Sequence, residues 1–258
     1  GCTDENAPNY NPWANCDDGL CISACAGADI TGLGTTGVIH DRATFLFDNP
    51  NTYDATTGAM ICRTDQIRIK YRVVGTSSWS QKNLASPTGY DATGLCNTTY
   101  NTSKNVFGLT PSSTYEWEAK VWYCDGQTTG WVVGPQFTTL DACPNVGNLA
   151  VTTPTTTKAT FTWDDSNGAY EFVRMKARVD SISNPTGADF FQIGGNGVQY
   201  GTFTKDKNGL VPGETYRGQA RTWCDPNGGP YRSAAWGPLV FWTMPTSKVE
   251  GGSAITNL

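Results

Sequence analysis

Two stretches of the chain alternate polar and apolar residues with a period of two: Gln66-Ile67-Arg68-Ile69-Lys70-Tyr71-Arg72-Val73 and Phe172-Val173-Arg174-Met175-Lys176-Ala177-Arg178-Val179. Such alternation, broken at short intervals by turn residues, predicts half-buried antiparallel strands. It belongs to a longer repeat. Gly108-Leu109-Thr110-Pro111-Ser112-Ser113-Thr114-Tyr115 matches Gly209-Leu210-Val211-Pro212-Gly213-Glu214-Thr215-Tyr216. Each copy runs on to a Trp and a Cys, Trp122 and Cys124 in the first and Trp223 and Cys224 in the second. Both then show a Gly-rich turn, a Trp (Trp131, Trp236), a Gly-Pro pair (Gly134-Pro135, Gly237-Pro238) and a Phe-containing strand. The beginnings correspond as well: Cys25 precedes Ala43-Thr44-Phe45-Leu46-Phe47, and Cys143 precedes Ala159-Thr160-Phe161-Thr162-Trp163. Each copy therefore reads as a sandwich of about seven strands, and the expected fold is all-β.

The Leu-x-Pro-x-x-x-Tyr step has a physical role. Its Leu plugs the core where one sheet crosses to the other, and its Tyr opens the next strand with a hydroxyl that ties back to the crossing loop, a tyrosine corner. On these residues both copies resemble fibronectin type III modules, which are immunoglobulin-like sandwiches, of the variety with one Cys at the start and another after the corner strand. The resemblance covers residues 25–244 and bears on fold more than function. It divides the chain into a small disulfide-stapled segment (1–24), module 1 with a long insertion (25–141), module 2 (142–245) and a linker or tail (246–258). It also suggests the bridges Cys25–Cys124 and Cys143–Cys224, each joining the first strand of a module to a late one. Cys62 and Cys96 have no counterpart in module 2, so they are expected to staple the insertion that runs from Asn49 to Cys62. Alternation from the corner Tyr puts Cys224 inward but Cys124 outward, which calls for a bulge in module 1.

The first 21 residues lack room for a core and need a staple, expected as Cys2–Cys21, which leaves Cys16 as the unpaired one. Gly1-Cys2-Thr3-Asp4, Asn9-Tyr10-Asn11-Pro12 and Asp17-Asp18-Gly19-Leu20-Cys21 resemble a short repeat of secreted bacterial surface proteins that use type IX secretion. Ala254-Ile255-Thr256-Asn257-Leu258 resembles the stretch before the core of a type IX sorting domain. A flexible tail is the other reading of that end. No leader is visible at Gly1, and the chain reads as a mature, secreted form at the surface of a Gram-negative bacterium.

Composition narrows the function classes. Net charge is -5 and the pI about 4.9, which argues against nucleic acid as a partner. No apolar run approaches the roughly 20 residues of a membrane span. Nine cysteines with a single histidine, His40, favour disulfides in an oxidising compartment over structural zinc.

Several constellations could carry chemistry. His40 beside Asp41, and the pair Asp164-Asp165, read as loop and turn residues rather than a catalytic set, so no enzymatic role is expected. Asn9, Asn11, Asp17 and Asp18 are oxygen donors in one short loop; calcium would suit them, and so would Asx-turns. No other cofactor is expected. Parity places Arg174, Lys176, Arg178, Arg217 and Arg221 on one outward face of module 2, a basic face in an acidic protein. It reads either as a site for an acidic partner, such as a polyanionic glycan or another subunit, or as a solvated face whose long stems cover apolar surface. Trp122 and Trp223 fall on outward parity, while Trp79, Trp131 and Trp236 lie near turns; such rings serve core packing, sugar stacking or protein contact. The expected function is a non-catalytic extracellular protein, adhesin-like or fibre-forming, that binds copies of itself or other cell-surface proteins. The alternative is a carbohydrate-binding accessory region of a larger secreted enzyme.

Overall fold

The alternating stretches form strands, and Ile67, Ile69, Tyr71, Val173, Met175 and Ala177 are buried as the alternation predicts, joined by the polar Gln66 and Arg178. The computed structural model describes the chain apart from residues 4, 6–9, 17, 18, 20–24, 26–28, 54, 57, 59, 87, 90–95, 97 and 248–258. It divides into two units, Gly1–Asp141 and Ala142–Leu258.

In the first unit the strands are β1 (Gly34–Thr36), β2 (Arg42–Leu46), β3 (Thr52–Tyr53), β4 (Met60–Cys62), β5 (Thr64–Val73), β6 (Ser80–Leu84), β7 (Ser103–Phe107), β8 (Thr114–Tyr123), β9 (Val132–Val133) and β10 (Phe137–Thr138). One sheet has the order β1-β2-β7; the other has β10-β8-β5-β6, with β9 also on β8. Phe45 and Val106 of the first sheet pack against Ile67, Ile69, Trp117 and Val121 of the second. Each such side chain contributes about 1.5–3 kcal/mol on burial. Trp117 also explains the Gly-Pro pair of this module. Its indole donates to the Pro135 carbonyl at 2.9 Å, and a Cβ on Gly134 would meet its ring at 2.2 Å.

The second unit has β11 (Gly147–Thr155), β12 (Lys158–Asp164), β13 (Phe172–Val179), β14 (Phe191–Gln199), β15 (Thr204–Lys207), β16 (Thr215–Trp223) and β17 (Val240–Thr243). Its sheets are β11-β12-β15 and β14-β13-β16-β17, around Phe161, Trp163, Met175, Ile193, Tyr216 and Trp242. Both units thus share one strand order. Both also close a tyrosine corner: the Tyr115 hydroxyl accepts the Thr110 N–H at 2.8 Å, and that of Tyr216 accepts the Val211 N–H at 3.0 Å. The plug residues Leu109 and Leu210 are buried. Gly108 and Gly209 precede them at φ +77° and +75°, a turn that side-chain-bearing residues adopt only with strain. The chain is an all-β protein of two fibronectin type III-like sandwiches preceded by a small N-terminal segment.

The insertion of the first sandwich folds as the hairpin β3–β4, pairing Thr52 with Cys62 and Tyr53 with Met60. Asn51 ties it down from a buried position. Its amide donates to the Thr99 carbonyl at 2.9 Å, and its side-chain oxygen accepts the Thr64 N–H at 2.7 Å.

A disulfide joins Cys143 to Cys224. In the first sandwich the pairing differs from the expectation: Cys124 is bonded to Cys96, not to Cys25, so neither Cys25–Cys124 nor Cys62–Cys96 forms. The cause lies at the end of β8. The register of β5 against β8 shifts between Thr64 and Gln66, opposite Tyr123 and Trp122, and the Cys124 N–H turns to the Arg63 carbonyl at 3.0 Å. There Cys124 meets Cys96 from the β6–β7 connection, while Cys25 and Cys62 are buried in the core. Cys2 is disulfide-bonded; Cys21 lies outside the described residues. Cys16 is exposed.

Candidate binding faces

The outward side of β13 and β16 carries the five basic residues together. Arg174 stands opposite Arg221, Lys176 opposite Gln219 and Arg178 opposite Arg217. Like charges across a ladder are unfavourable unless something intervenes, and here rings and oxygens do. Phe172 and Trp223 stack at 5.5 Å, and Trp236 meets Trp223 edge-on at 6.4 Å. Arg174 lies 4.8 Å over Trp223 and donates to the Asn196 carbonyl at 2.8 Å. Lys176 sits 4.3 Å over Trp236 and 4.8 Å over Phe190. The Arg178 side chain donates to the carbonyls of Val179 and Ile182, each at 2.8 Å. Arg217 pairs with Asp180 and lies 5.4 Å over Phe241. Arg221 donates to the Ser233 carbonyl at 2.6 Å and to that of Ala234 at 3.0 Å; burial lowers its pKa.

Among the five cations Arg217 is in an ion pair, and the others are held by rings and carbonyl oxygens. All five cations have partners inside the module, and Arg178 is only 8% exposed. Trp223, on the outward side of its strand, is 5% exposed because this stack covers it.

The first sandwich repeats the arrangement rung by rung. Trp122 meets Trp131 edge-on at 6.5 Å. Arg68 lies 4.7 Å over Trp122, with Lys120 at 5.0 Å from the same ring. Lys70 sits 4.2 Å over Trp131 and 4.8 Å over Trp79, and Arg72 4.2 Å over Trp79. Trp122, Trp131 and Trp79 thus match Trp223, Trp236 and Phe190, and Arg68, Lys70 and Arg72 match Arg174, Lys176 and Arg178. Carboxylates complete the rungs: Lys70–Glu118 at 2.6 Å and Arg72–Glu116 at 2.7 Å. Each cation–ring contact is worth about 0.5–1 kcal/mol at such sites. Together they hold the rings in fixed orientations. One sequence signal for the ladder is plain in retrospect: Arg-x-Lys-x-Arg occurs at the same place in both modules, at 68–72 and 174–178.

No family model matches the chain, and no curated protein matches it. Among solved structures it is similar to the FN1–FN3 domains of chicken CNTN1, at 10% identity over 86% of this chain and 69% of that one, with a TM-score of 0.46. It is also similar to a two-domain fibronectin type III segment of chicken tenascin, at 12% identity over 85% of this chain and all of that one, with a TM-score of 0.33.

The remaining candidate residues have structural work. Asn11 accepts the Trp13 N–H at 3.0 Å in an Asx-turn; Asn9, Asp17 and Asp18 lie outside the described residues. Asp164 accepts from Asn148 at 2.7 Å and from the Ser166 N–H at 3.1 Å, which lowers its pKa, the Asn148 bond foremost. Asp165 accepts the Tyr200 hydroxyl at 2.7 Å. His40 is buried, which lowers its pKa, and the adjacent Asp41 is held by Arg42 at 2.8 Å. Asp65 lies with Cys96 and Cys124 in a grouping that could suit a metal. However, the two sulfurs are bonded to each other, and the carboxylate caps a loop, accepting the N–H groups of Thr88 and Gly89 at 2.7 Å each. No helix among the described residues is long and apolar enough to cross a membrane.

Proposed function

We propose that this chain is a non-catalytic extracellular protein, adhesin-like or fibre-forming, whose modules bind copies of themselves or other cell-surface proteins through the ladder-bearing faces. The N-terminal repeat supports export by type IX secretion to the surface of a Gram-negative bacterium. The observation that carries the binding role is the duplicated ladder, which pre-orients large rings. A partner then meets a rigid aromatic surface and loses less entropy in ordering it.

The outward face of module 1 is also partly apolar. Val133 is 73% exposed opposite the outward Glu118, and Trp79 and Trp131 are each about a third exposed. On module 2, Phe241 is 57% exposed opposite Arg217. Aromatic rings beside guanidinium groups are the composition of protein-contact centres.

A carbohydrate-binding accessory role is the second reading, favoured by the exposure of Trp79 and Trp131. It is the weaker one, because Arg72 and Lys70 already occupy a face of these rings.

Size-exclusion chromatography with light scattering, over a dilution series and beside a glycan array, separates the two. Self-association predicts species above the 27.8 kDa of one chain that dissociate on dilution. A monomer at every concentration, combined with specific glycan binding, would transfer the assignment to the second reading.

A further inference from the structure

Four cysteines of the first sandwich converge on the end of β8, and only two of them are bonded. Cys124 is joined to Cys96, whereas Cys25 and Cys62 are buried thiols, 4% and 6% exposed. The backbone brings these two together from distant parts of the chain. The Cys25 N–H donates to the Asp125 carboxylate at 2.6 Å, one residue beyond Cys124. Cys62 ends β4, and its neighbour Arg63 accepts the Cys124 N–H at 3.0 Å. The Cys62 N–H is fixed in turn by the Thr52 hydroxyl at 3.1 Å. Within this frame Cys25 and Cys62 lie buried in one cluster, together with Phe45 and Tyr123.

We infer that Cys25 and Cys62 are the two halves of a further disulfide, which locks the N-terminal approach of module 1 to its inserted hairpin. Three observations converge on it. Backbone hydrogen bonds bring both residues to the end of β8. Both are sealed from solvent, where a pair of thiols makes only weak hydrogen bonds. Every other bonded cysteine of this chain, Cys2 included, shows that the protein is built with disulfides. The inference does not rest on what the faces bind.

The chemistry is thiol–disulfide exchange with an oxidant of the disulfide class, such as an oxidoreductase disulfide or glutathione disulfide. The Cys62 thiolate attacks one oxidant sulfur, breaks the oxidant's S–S bond and releases one oxidant thiol. Cys25 then attacks Cys62 in that mixed disulfide and releases the second. Two protons and two electrons pass from the protein to the oxidant, and one S–S bond replaces another. Burial, with the nearby Cys62 and Asp125, pushes the Cys25 thiol well above its ordinary range. The reactive thiolate is therefore scarce once the core has closed, which puts the bond-forming step before closure and shields the finished bond from reductants.

The test is disulfide mapping of the full chain, made under oxidising conditions and alkylated while denatured without reduction. Trypsin cuts at Arg42 and Arg63, which lie between Cys25 and Cys62 and between Cys62 and Cys96; because residues 1–42 stay in one peptide with Cys2, Cys16 and Cys21, fragmentation of that peptide assigns the linked residue. The expected result is a Cys25–Cys62 linkage, lighter than the dithiol by two hydrogens, alongside Cys96–Cys124. The variants Cys25→Ser and Cys62→Ser should each expose one alkylatable thiol, at the other position, without disturbing Cys96–Cys124. Alkylation of both Cys25 and Cys62 in the unreduced parent would overturn the inference. So would a parent map linking Cys25 to Cys124 and Cys62 to Cys96. The parent map decides even where a variant fails to fold.

Discussion

In the first sandwich the residues opposite Lys70 and Arg72 are Glu118 and Glu116; in the second, the residues opposite Lys176 and Arg178 are Gln219 and Arg217. The cations nonetheless lie over equivalent rings in both modules. Module 1 neutralises them with carboxylates across the strand. Module 2 instead holds Arg178 with the carbonyls of Val179 and Ile182, Arg217 with Asp180, and Arg221 with the carbonyls of Ser233 and Ala234. The comparison teaches that the aromatic plates are the shared support and that the counter-charge is interchangeable. It also separates the two faces in cost of repair. A surface carboxylate can be replaced cheaply, whereas a partly buried carbonyl that loses its donor costs more to satisfy again.

The largest expected contrast comes from the disulfides. Removing Cys143–Cys224, which spans 81 residues, should cost module 2 roughly 4–5 kcal/mol by the loop-entropy account. Removing Cys96–Cys124, which spans 28, should cost module 1 roughly 3–4 kcal/mol. Calorimetry of the paired Cys→Ser variants would read this as a larger drop in the module 2 transition. Equal drops would mean that the chain-entropy difference is masked by strain or residual structure.

Trp223→Ala comes next. It empties a covered site, so about 3–5 kcal/mol is expected, against about half of that for the half-buried Trp122→Ala. Denaturant titration of each variant measures both, and an equal loss would mean that Trp122 carries as much of its ladder as Trp223.

The sharpest comparison of the rungs uses equivalent arginines. Arg178→Gln strands the carbonyls of Val179 and Ile182 and should cost about 1–3 kcal/mol. Arg72→Gln loses a partly exposed ion pair with Glu116 and should cost about 0.2–1 kcal/mol. If Arg72→Gln proves the more damaging, the interchangeability of the counter-charge is wrong.

The smallest effect is a pH dependence confined to module 1, which holds the chain's one histidine. Burial lowers the His40 pKa from its ordinary 6.5, so the unfolded chain takes up the proton first. Its contribution is fully present above about pH 6.5 and is lost as pH falls toward the folded-state value. The module 1 transition should shift down between about pH 7 and about pH 5 through this residue, and the shift should shrink in His40→Gln.

The sequence by itself determined which residues form strands, which side of each strand faces inward, and that the pattern occurs twice. Those are local matters. A period of two sets the side, and a Leu-x-Pro-x-x-x-Tyr step with a glycine before it sets the corner, as Tyr115 and Tyr216 show. It also brought Arg174, Lys176, Arg178, Arg217 and Arg221 to one face, because parity is carried by the backbone. Only the tertiary structure decided what those cations touch. Trp236 and Phe190 reach the face from loops whose paths no periodicity describes, and Asp180 and the Ser233 carbonyl arrive in the same way. The cysteines show the limit most clearly. Parity from Tyr115 put Cys124 outward and called for a bulge in module 1, but could not name its partner. That choice was made where the register of β5 shifts against β8 and the β6–β7 connection brings Cys96 to Cys124. A disulfide depends on which chain segments meet in three dimensions, and meetings across 28 or 81 residues are settled by packing rather than by any local pattern.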